Sequence, residues 1–314
     1  MNARLGAQPS ASARARVSWG PEARAARDAG RPIVALESSV LAQGLPIPAN
    51  READRRMRAA TAAHGAHAAV IAMVKGELTV GLEGDDLERF LRRDGVAKVS
   101  ARDLPVLAAR GGDGATTVAA TLACCTAAGL DVFATGGIGG VHREPAFDES
   151  ADLAELGRSS VIVVCAGAKS VLDLPATLER LESLGVTLLG YGTDEFPGFF
   201  TASTGLAVPA RVDSPAEVAA VLRAARALGR PGAVLVVQPP PVAESLDAAV
   251  VAEAVDRALA EARSADVRGA AVTPFLLAAV DRATGGRSLQ ANLALLERNA
   301  ALAASIAVAL SAPP

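Results

Sequence analysis

Short apolar runs recur along this chain, each followed by a polar or small-residue turn and then by a helical stretch. That alternation constrains the fold more than any other feature. Ile33 to Leu36, Ala68 to Val74, Leu78 to Leu82, Val132 to Thr135, Val161 to Val164, Val186 to Tyr191 and Ala233 to Val237 read as strands. Residues 21–28, 49–64, 85–93, 175–184, 215–228, 246–263 and 288–310 read as helices, with Asn50 as an N-cap for the second. Strands alternating with helices imply a largely parallel sheet with helices on both faces. The expected fold is α/β, a single three-layer α/β/α domain over residues 21–314 with a central, largely parallel or mixed sheet. No linker or internal repeat divides it. Residues 1–20 are rich in Ala, Arg and Ser and hold no acid, and read as a disordered arginine-rich tail.

Composition narrows the function by exclusion. Aromatics make up 3% of the 314 residues and the net charge is −3, which argues against base stacking and against a duplex-binding surface. No nucleic-acid partner is expected. No window reads as the long uninterrupted apolar span of a membrane helix, so no membrane partner is expected either. Cys124, Cys125 and Cys165 match neither a disulfide framework nor a zinc signature, and suit a reducing cytoplasm.

The chemistry concentrates between Thr135 and Asp173. A glycine loop (Gly136, Gly137, Gly139, Gly140) leads to His142 and then to an acidic turn with Asp148, Glu149, Ser150 and Asp152. The β-branched run Val161–Val164 then delivers Cys165-Ala166-Gly167-Ala168-Lys169 at its carboxyl end, the end at which open α/β sheets bind ligands. Of 31 basic residues only Lys75, Lys98 and Lys169 are lysines. Where arginine serves for charge, a lysine at a strand end points to chemistry that guanidinium cannot do, because an amine can lose its proton and attack carbon. Glu37, Ser38 and Ser39 end another apolar strand. Gly111-Gly112-Asp113-Gly114 reads as a turn opening a small-residue helix. Its amides and the Thr116 and Thr117 hydroxyls would suit a phosphate, although the glycines match neither a P-loop nor a dinucleotide fingerprint. Phe196, Phe199 and Phe200 cluster as a lid, an oligomer contact or core. Asn292 and Asn299 share one face of the last helix.

These motifs come in a specific order: ALESSV, KVSARDLP, GDGATTVAAT, FATGGIGGVHR, FDESADL, VCAGAKSVLDLP, TPFLL and TGGRSLQANLALLERNA. Over residues 20–310 the chain closely resembles the pseudouridine-5′-phosphate glycosidases. The resemblance implies reversible cleavage of the C–C glycosidic bond of pseudouridine 5′-phosphate to uracil and ribose 5-phosphate, one Mn2+ per subunit, and a homotrimer. It implies Glu37 as proton donor, Lys169 as covalent nucleophile and Asp148 as metal ligand. Lys98, Val118, Ser150, Ala151 and Asp152 become substrate contacts, and His142 and Asn292 further pocket residues. Between Arg143 and Phe147 the loop is shorter than the family pattern.

The reaction explains why such residues are needed. Carbon is a poor leaving atom, so the ribose ring is best opened first: an acid protonates the ring oxygen while a lysine captures C1′. The lysine must be partly neutral and the glutamate must hold a proton, and both demands ask for a dry site. A Schiff-base aldolase or lyase acting on a sugar phosphate is the alternative; it would use the same lysine and phosphate loop without contacts to a base.

Overall fold

The computed structural model describes residues 16–144, 148–267 and 272–312. The strands, in chain order, are β1 (Val17–Trp19), β2 (Ile33–Glu37), β3 (His67–Val74), β4 (Glu77–Val80), β5 (Ala97–Val99), β6 (Gly114–Thr116), β7 (Val132–Ala134), β8 (Val141–His142), β9 (Ile162–Cys165), β10 (Leu172–Asp173), β11 (Thr187–Tyr191), β12 (Arg211–Val212) and β13 (Val234–Val237). The helices are α1 (Pro21–Asp28), α2 (Ala49–Ala63), α3 (Gly84–Arg92), α4 (Leu104–Arg110), α5 (Val118–Ala128), α6 (Ala151–Leu156), α7 (Leu174–Ser183), α8 (Pro215–Ala227), α9 (Ala248–Ser264), α10 (Val272–Ala283) and α11 (Arg287–Ser311).

The main sheet runs β1-β4-β3-β2-β7-β9-β13-β11-β12, with β6 on β3 and β5 on β6. Only the β3–β4 and β3–β6 pairings are antiparallel, so the sheet is mixed and mostly parallel, as the alternation requires. At its centre β2, β7, β9 and β13 run parallel and are apolar almost throughout, the composition of strands buried on both faces. α11 lies across β2, β7 and β9 with α2 and α8 beside it, and α5 with α6 covers the other face at β2 and β7. Sequence caps start several helices: Asp173 for α7, Asp247 for α9, and a Ser214/Glu217 capping box for α8.

Three expectations change. Residues 17–19 were placed in the tail, but they form β1, an edge strand parallel to β4. Arg27 stacks over the Trp19 ring at 4.7 Å and Arg24 donates to the Trp19 carbonyl at 2.9 Å, contacts that three residues of sequence do not announce. Residues 1–15 of that tail lie outside the described residues, as do residues 145–147 of the shortened loop. Secondly, α11 is apolar enough to span a membrane by length and composition, with a mean hydropathy of 1.6 over its best window. However, 56% of that window is buried inside the protein, which marks a core helix.

Thirdly, Asn50 is not an N-cap. Pro48 holds that position, and Asn50 is fully buried, donating from Nδ2 to the carbonyls of Leu41 at 3.0 Å and Leu91 at 2.9 Å. It thereby ties the loop after β2 to the end of α3. Asn50→Ala strands two buried carbonyls and should cost about 2 kcal/mol in chemical denaturation, whereas a surface alanine on α2 should cost under about 0.5.

Candidate active site

The register of the central strands builds the site. Leu36 pairs with Ala134, Ala134 with Val164, and Cys165 with Val237. One step further on, Glu37 and Thr135 stand side by side at the carboxyl edge, at the spacing of neighbouring strands. The Thr135 hydroxyl donates to Glu37 Oε1 at 2.5 Å, and the Ser39 hydroxyl to Oε2 at 2.7 Å. Glu37 is 7% exposed, so both carboxyl oxygens are fixed in a nearly dry setting.

The loops after β7 and β9 then zip together. Ala166 N–H donates to Gly136 O at 2.9 Å, Ile138 N–H to Gly167 O at 3.0 Å, and Lys169 N–H to Ile138 O at 3.1 Å. The glycines permit that approach: a Cβ on Gly137 would come within 2.6 Å of the Phe199 ring, and one on Gly139 within 2.2 Å of Ser150 Oγ. Lys169 is thus held by its backbone while its amine has no hydrogen-bond or ion-pair partner among the described residues. Val163, Val164 and Ala168, which precede it in the chain, are fully buried; Lys169 itself is half-buried.

A cavity of about 230 Å³ opens here, lined by Glu37, Lys98, Thr117, Val118, His142, Ser150, Ala151, Asp152, Lys169 and Asn292. Ten of the twelve residues singled out from sequence therefore meet in one place. The other two do not line it. Thr116 is fully buried beneath the cavity, because Gly114–Thr116 forms β6 rather than a turn. Its hydroxyl donates to the Ile71 carbonyl at 2.7 Å and its N–H to Ser38 Oγ at 2.8 Å, which leaves nothing for a phosphate. Asp148 stands one contact away, its Oδ2 2.6 Å from Nδ1 of His142.

Asp152 is 5% exposed and takes the Ala119 amide on Oδ1 and the Gly139 amide on Oδ2, both at 2.8 Å. It pins the start of α5 to the glycine loop. Thr117 caps α5, and Val118 is its first residue. Lys98 lines the cavity from β5 and is exposed as a residue. Crowding of its amine, then the nearby Lys169 charge, holds its pKa below the ordinary lysine range, against the opposing pull of Glu37 and Asp152. Cys165, next to the site, is no rival nucleophile: burial pushes its thiol up to about 12. Phe196, Phe199 and Phe200 are core, with Phe199 also forming a cavity wall.

No group of three His, Cys, Asp or Glu side chains able to hold a metal occurs among the described residues. Asp148 offers a carboxylate with a side chain 39% exposed, a donor that fits a hard cation held mostly by water.

Sequence reasoning did not pick out Thr135 as the partner of Glu37, nor Ser100 on the wall; it noted Ser39 only as a strand-end hydroxyl and Phe199 only within a cluster open to lid, oligomer contact or core. Thr135 opens the glycine stretch at a strand end, a position that could have flagged it.

A lysine and a buried carboxylic side chain at the carboxyl edge of a parallel sheet, with a second lysine over the opening, define an enzyme site for a small anionic substrate. A sequence model described as indigoidine synthase A like protein matches residues 22–309. The chain is 63% identical over 285 residues to a pseudouridine-5′-phosphate glycosidase of Gemmatimonas aurantiaca, covering 91% of this chain and 93% of that protein. It is 52% identical over 292 residues to one of Herpetosiphon aurantiacus, covering 92% and 96%. Among solved structures it superposes on the prealnumycin C-glycosynthase AlnA in complex with ribulose 5-phosphate, at TM-score 0.86 and 37% identity over 94% of this chain and 97% of that one. It also superposes on an indigoidine synthase A-like protein of Thermotoga maritima, at TM-score 0.87 and 34% identity over 98% and 100%. The chain belongs to the indigoidine synthase A-like family and, within it, to the pseudouridine-5′-phosphate glycosidases.

Proposed function

We propose that the chain reversibly cleaves pseudouridine 5′-phosphate to uracil and ribose 5-phosphate, through ring opening and a covalent adduct on Lys169. The observation that carries this reading is the Lys169 amine, unpartnered among the described residues, in one cavity with a dry, doubly hydrogen-bonded Glu37. The Lys169 nitrogen forms a bond to C1′ as the C1′–O4′ bond breaks, and O4′ takes its proton from Glu37. Glu37, now a carboxylate, takes a proton from the adduct nitrogen and passes it to C5 of uracil as the C1′–C5 bond breaks, and the freed nitrogen lone pair closes to an iminium on C1′. Water adds to that carbon and releases ribose 5-phosphate with a free lysine, and the proton set free returns to Glu37. Lys98 and the start of α5 face the phosphate, and Asn292, His142, Ser150 and Ala151 bound the space left for sugar and base. Mn2+ would sit at Asp148 beside His142, where it would supply positive charge near the cavity. A homotrimer working in the cytoplasm completes the reading, and the three buried free cysteines suit a reducing compartment; sedimentation velocity tests the assembly.

The test is direct. Purified protein with Mn2+ should convert pseudouridine 5′-phosphate to uracil and ribose 5-phosphate, and should run the reaction backwards with both products. Turnover of deoxyribose 5-phosphate without release or uptake of uracil would favour the aldolase reading instead.

Lys98 gives a pH prediction. Its lowered pKa means that its charge fades as pH rises, before an ordinary lysine would lose it. A bound phosphate dianion favours the charged amine, so binding in that range takes up a proton. The KM of the wild type should therefore climb with pH already below the range in which an ordinary lysine loses its charge. In Lys98→Arg, which stays charged, KM should remain flat over the same range.

A further inference from the structure

We infer that Thr135 is a positioning residue for Glu37, held in place by a buried amide network of Asn299 and Gln238. This rests on the reaction proposed above and names residues outside the set already assigned to it. The chain of contacts crosses four elements. From α11, Asn299 donates through Nδ2 to the Thr135 carbonyl at 2.8 Å and less closely to that of Gly136 at 3.4 Å. Its Oδ1 accepts from Gln238 Nε2 at 3.0 Å, just past the end of β13. Gln238 Oε1 in turn accepts from Arg298 Nε at 3.2 Å, and its own N–H donates to the Cys165 carbonyl at 3.0 Å, at the end of the strand that leads to Lys169. Asn299 is 1% exposed, Gln238 3% and Thr135 1%. Every amide atom of Asn299 and Gln238 that this geometry uses is paired, and buried polar groups this well satisfied hold one arrangement.

The frame has a directional consequence. Asn299 fixes the Thr135 backbone, and the Thr135 hydroxyl that holds Glu37 Oε1 belongs to a residue 1% exposed that does not line the cavity. Ser39 does line the cavity, and it holds Oε2. One carboxyl oxygen is thereby held by an interior residue and the other by a residue of the cavity wall. Because Gln238 also holds the Cys165 carbonyl, the acid and the lysine are registered against one rigid piece. Proton transfer to O4′ as the lysine attacks C1′ needs both groups placed to a fraction of an ångström.

The experiment compares kcat and KM for pseudouridine 5′-phosphate in the wild type, Thr135→Val, Thr135→Ser and Asn299→Ala, each checked by its melting temperature. Thr135→Val should lower kcat by about 10- to 100-fold with KM within about twofold. Thr135→Ser, which keeps the hydroxyl, should return kcat to within about threefold of wild type. Asn299→Ala should lower kcat in the same sense, and it carries the test alone if Thr135→Val does not fold. Wild-type kcat in a folded Thr135→Val or Asn299→Ala chain would overturn the inference, as would a Thr135→Ser chain no better than the valine. If the wild type turns over substrate and Glu37→Gln does not, the parent reading stands whatever these variants do. A wild type without turnover removes both.

Discussion

Lys169→Arg should lower turnover of pseudouridine 5′-phosphate by about 10,000-fold while leaving KM within a few-fold and the fold intact. The substitution keeps the positive charge and most of the length, so whatever Lys169 contributes as a cation to binding survives. What it removes is a nitrogen that can lose a proton and bond to carbon, since guanidinium stays protonated. The site tolerates the change because Lys169 is half-buried and its amine is tied to nothing among the described residues, while the backbone that carries it is fixed by Ile138 and Gly167. Borohydride reduction in the presence of ribose 5-phosphate should add mass to the Lys169 peptide in the wild type and add none in the arginine variant. Retained turnover in Lys169→Arg would refute covalent catalysis at this position and leave only an electrostatic role. A large rise in KM with unchanged kcat would point the same way.

Much of this site was legible because its residues sit at strand ends, and strand ends follow from apolar runs. The β-branched run before Lys169 and the shorter one before Glu37 locate the carboxyl edge of a parallel sheet, and that edge is where the cavity lies. What sequence could not supply was the pairing of side chains across strands far apart in the chain. Thr135 and Glu37 are 98 positions apart, and only the β2–β7 register places them together. Thr116 failed for a related reason. A glycine-rich approach to a helix looks like an anion turn, but here Gly114 packs against Leu107 and Val99 as part of β6, so the threonine hydroxyl turns inward to Ile71. Asn50 failed because an asparagine near a helix start suits a cap equally well as a buried clamp, and only tertiary packing decides between them. The edge strand β1 was missed because Val17-Ser18-Trp19 is too short to show a period and draws its order from Arg24 and Arg27 in the following helix.

Asp152→Asn should be the most damaging single substitution in the walls of the cavity, costing about 3 kcal/mol of stability. The wild-type carboxylate accepts from two backbone amides at once, Ala119 on one oxygen and Gly139 on the other. An asparagine offers one acceptor and one NH2 group. Whichever way the side chain is turned, an NH2 faces a backbone N–H, two donors meet, and a buried amide is left unpaired. The packing leaves little room to relax, because Asp152 is 5% exposed and Gly139 lies so close that it has no room even for a Cβ beside Ser150. Activity should fall beyond what the stability loss accounts for. The same carboxylate is one of the charges that keep the Lys98 amine protonated, so without it the Lys98 pKa should drop further and phosphate binding should fade at a lower pH than in the wild type. Two measurements check this together: the denaturant midpoint, and KM against pH from about 6 to 9. A stable Asp152→Asn chain would show that the two amides find other partners. An unstable one whose KM follows the wild-type pH curve would show that Asp152 acts on the scaffold alone and not on the charge of Lys98.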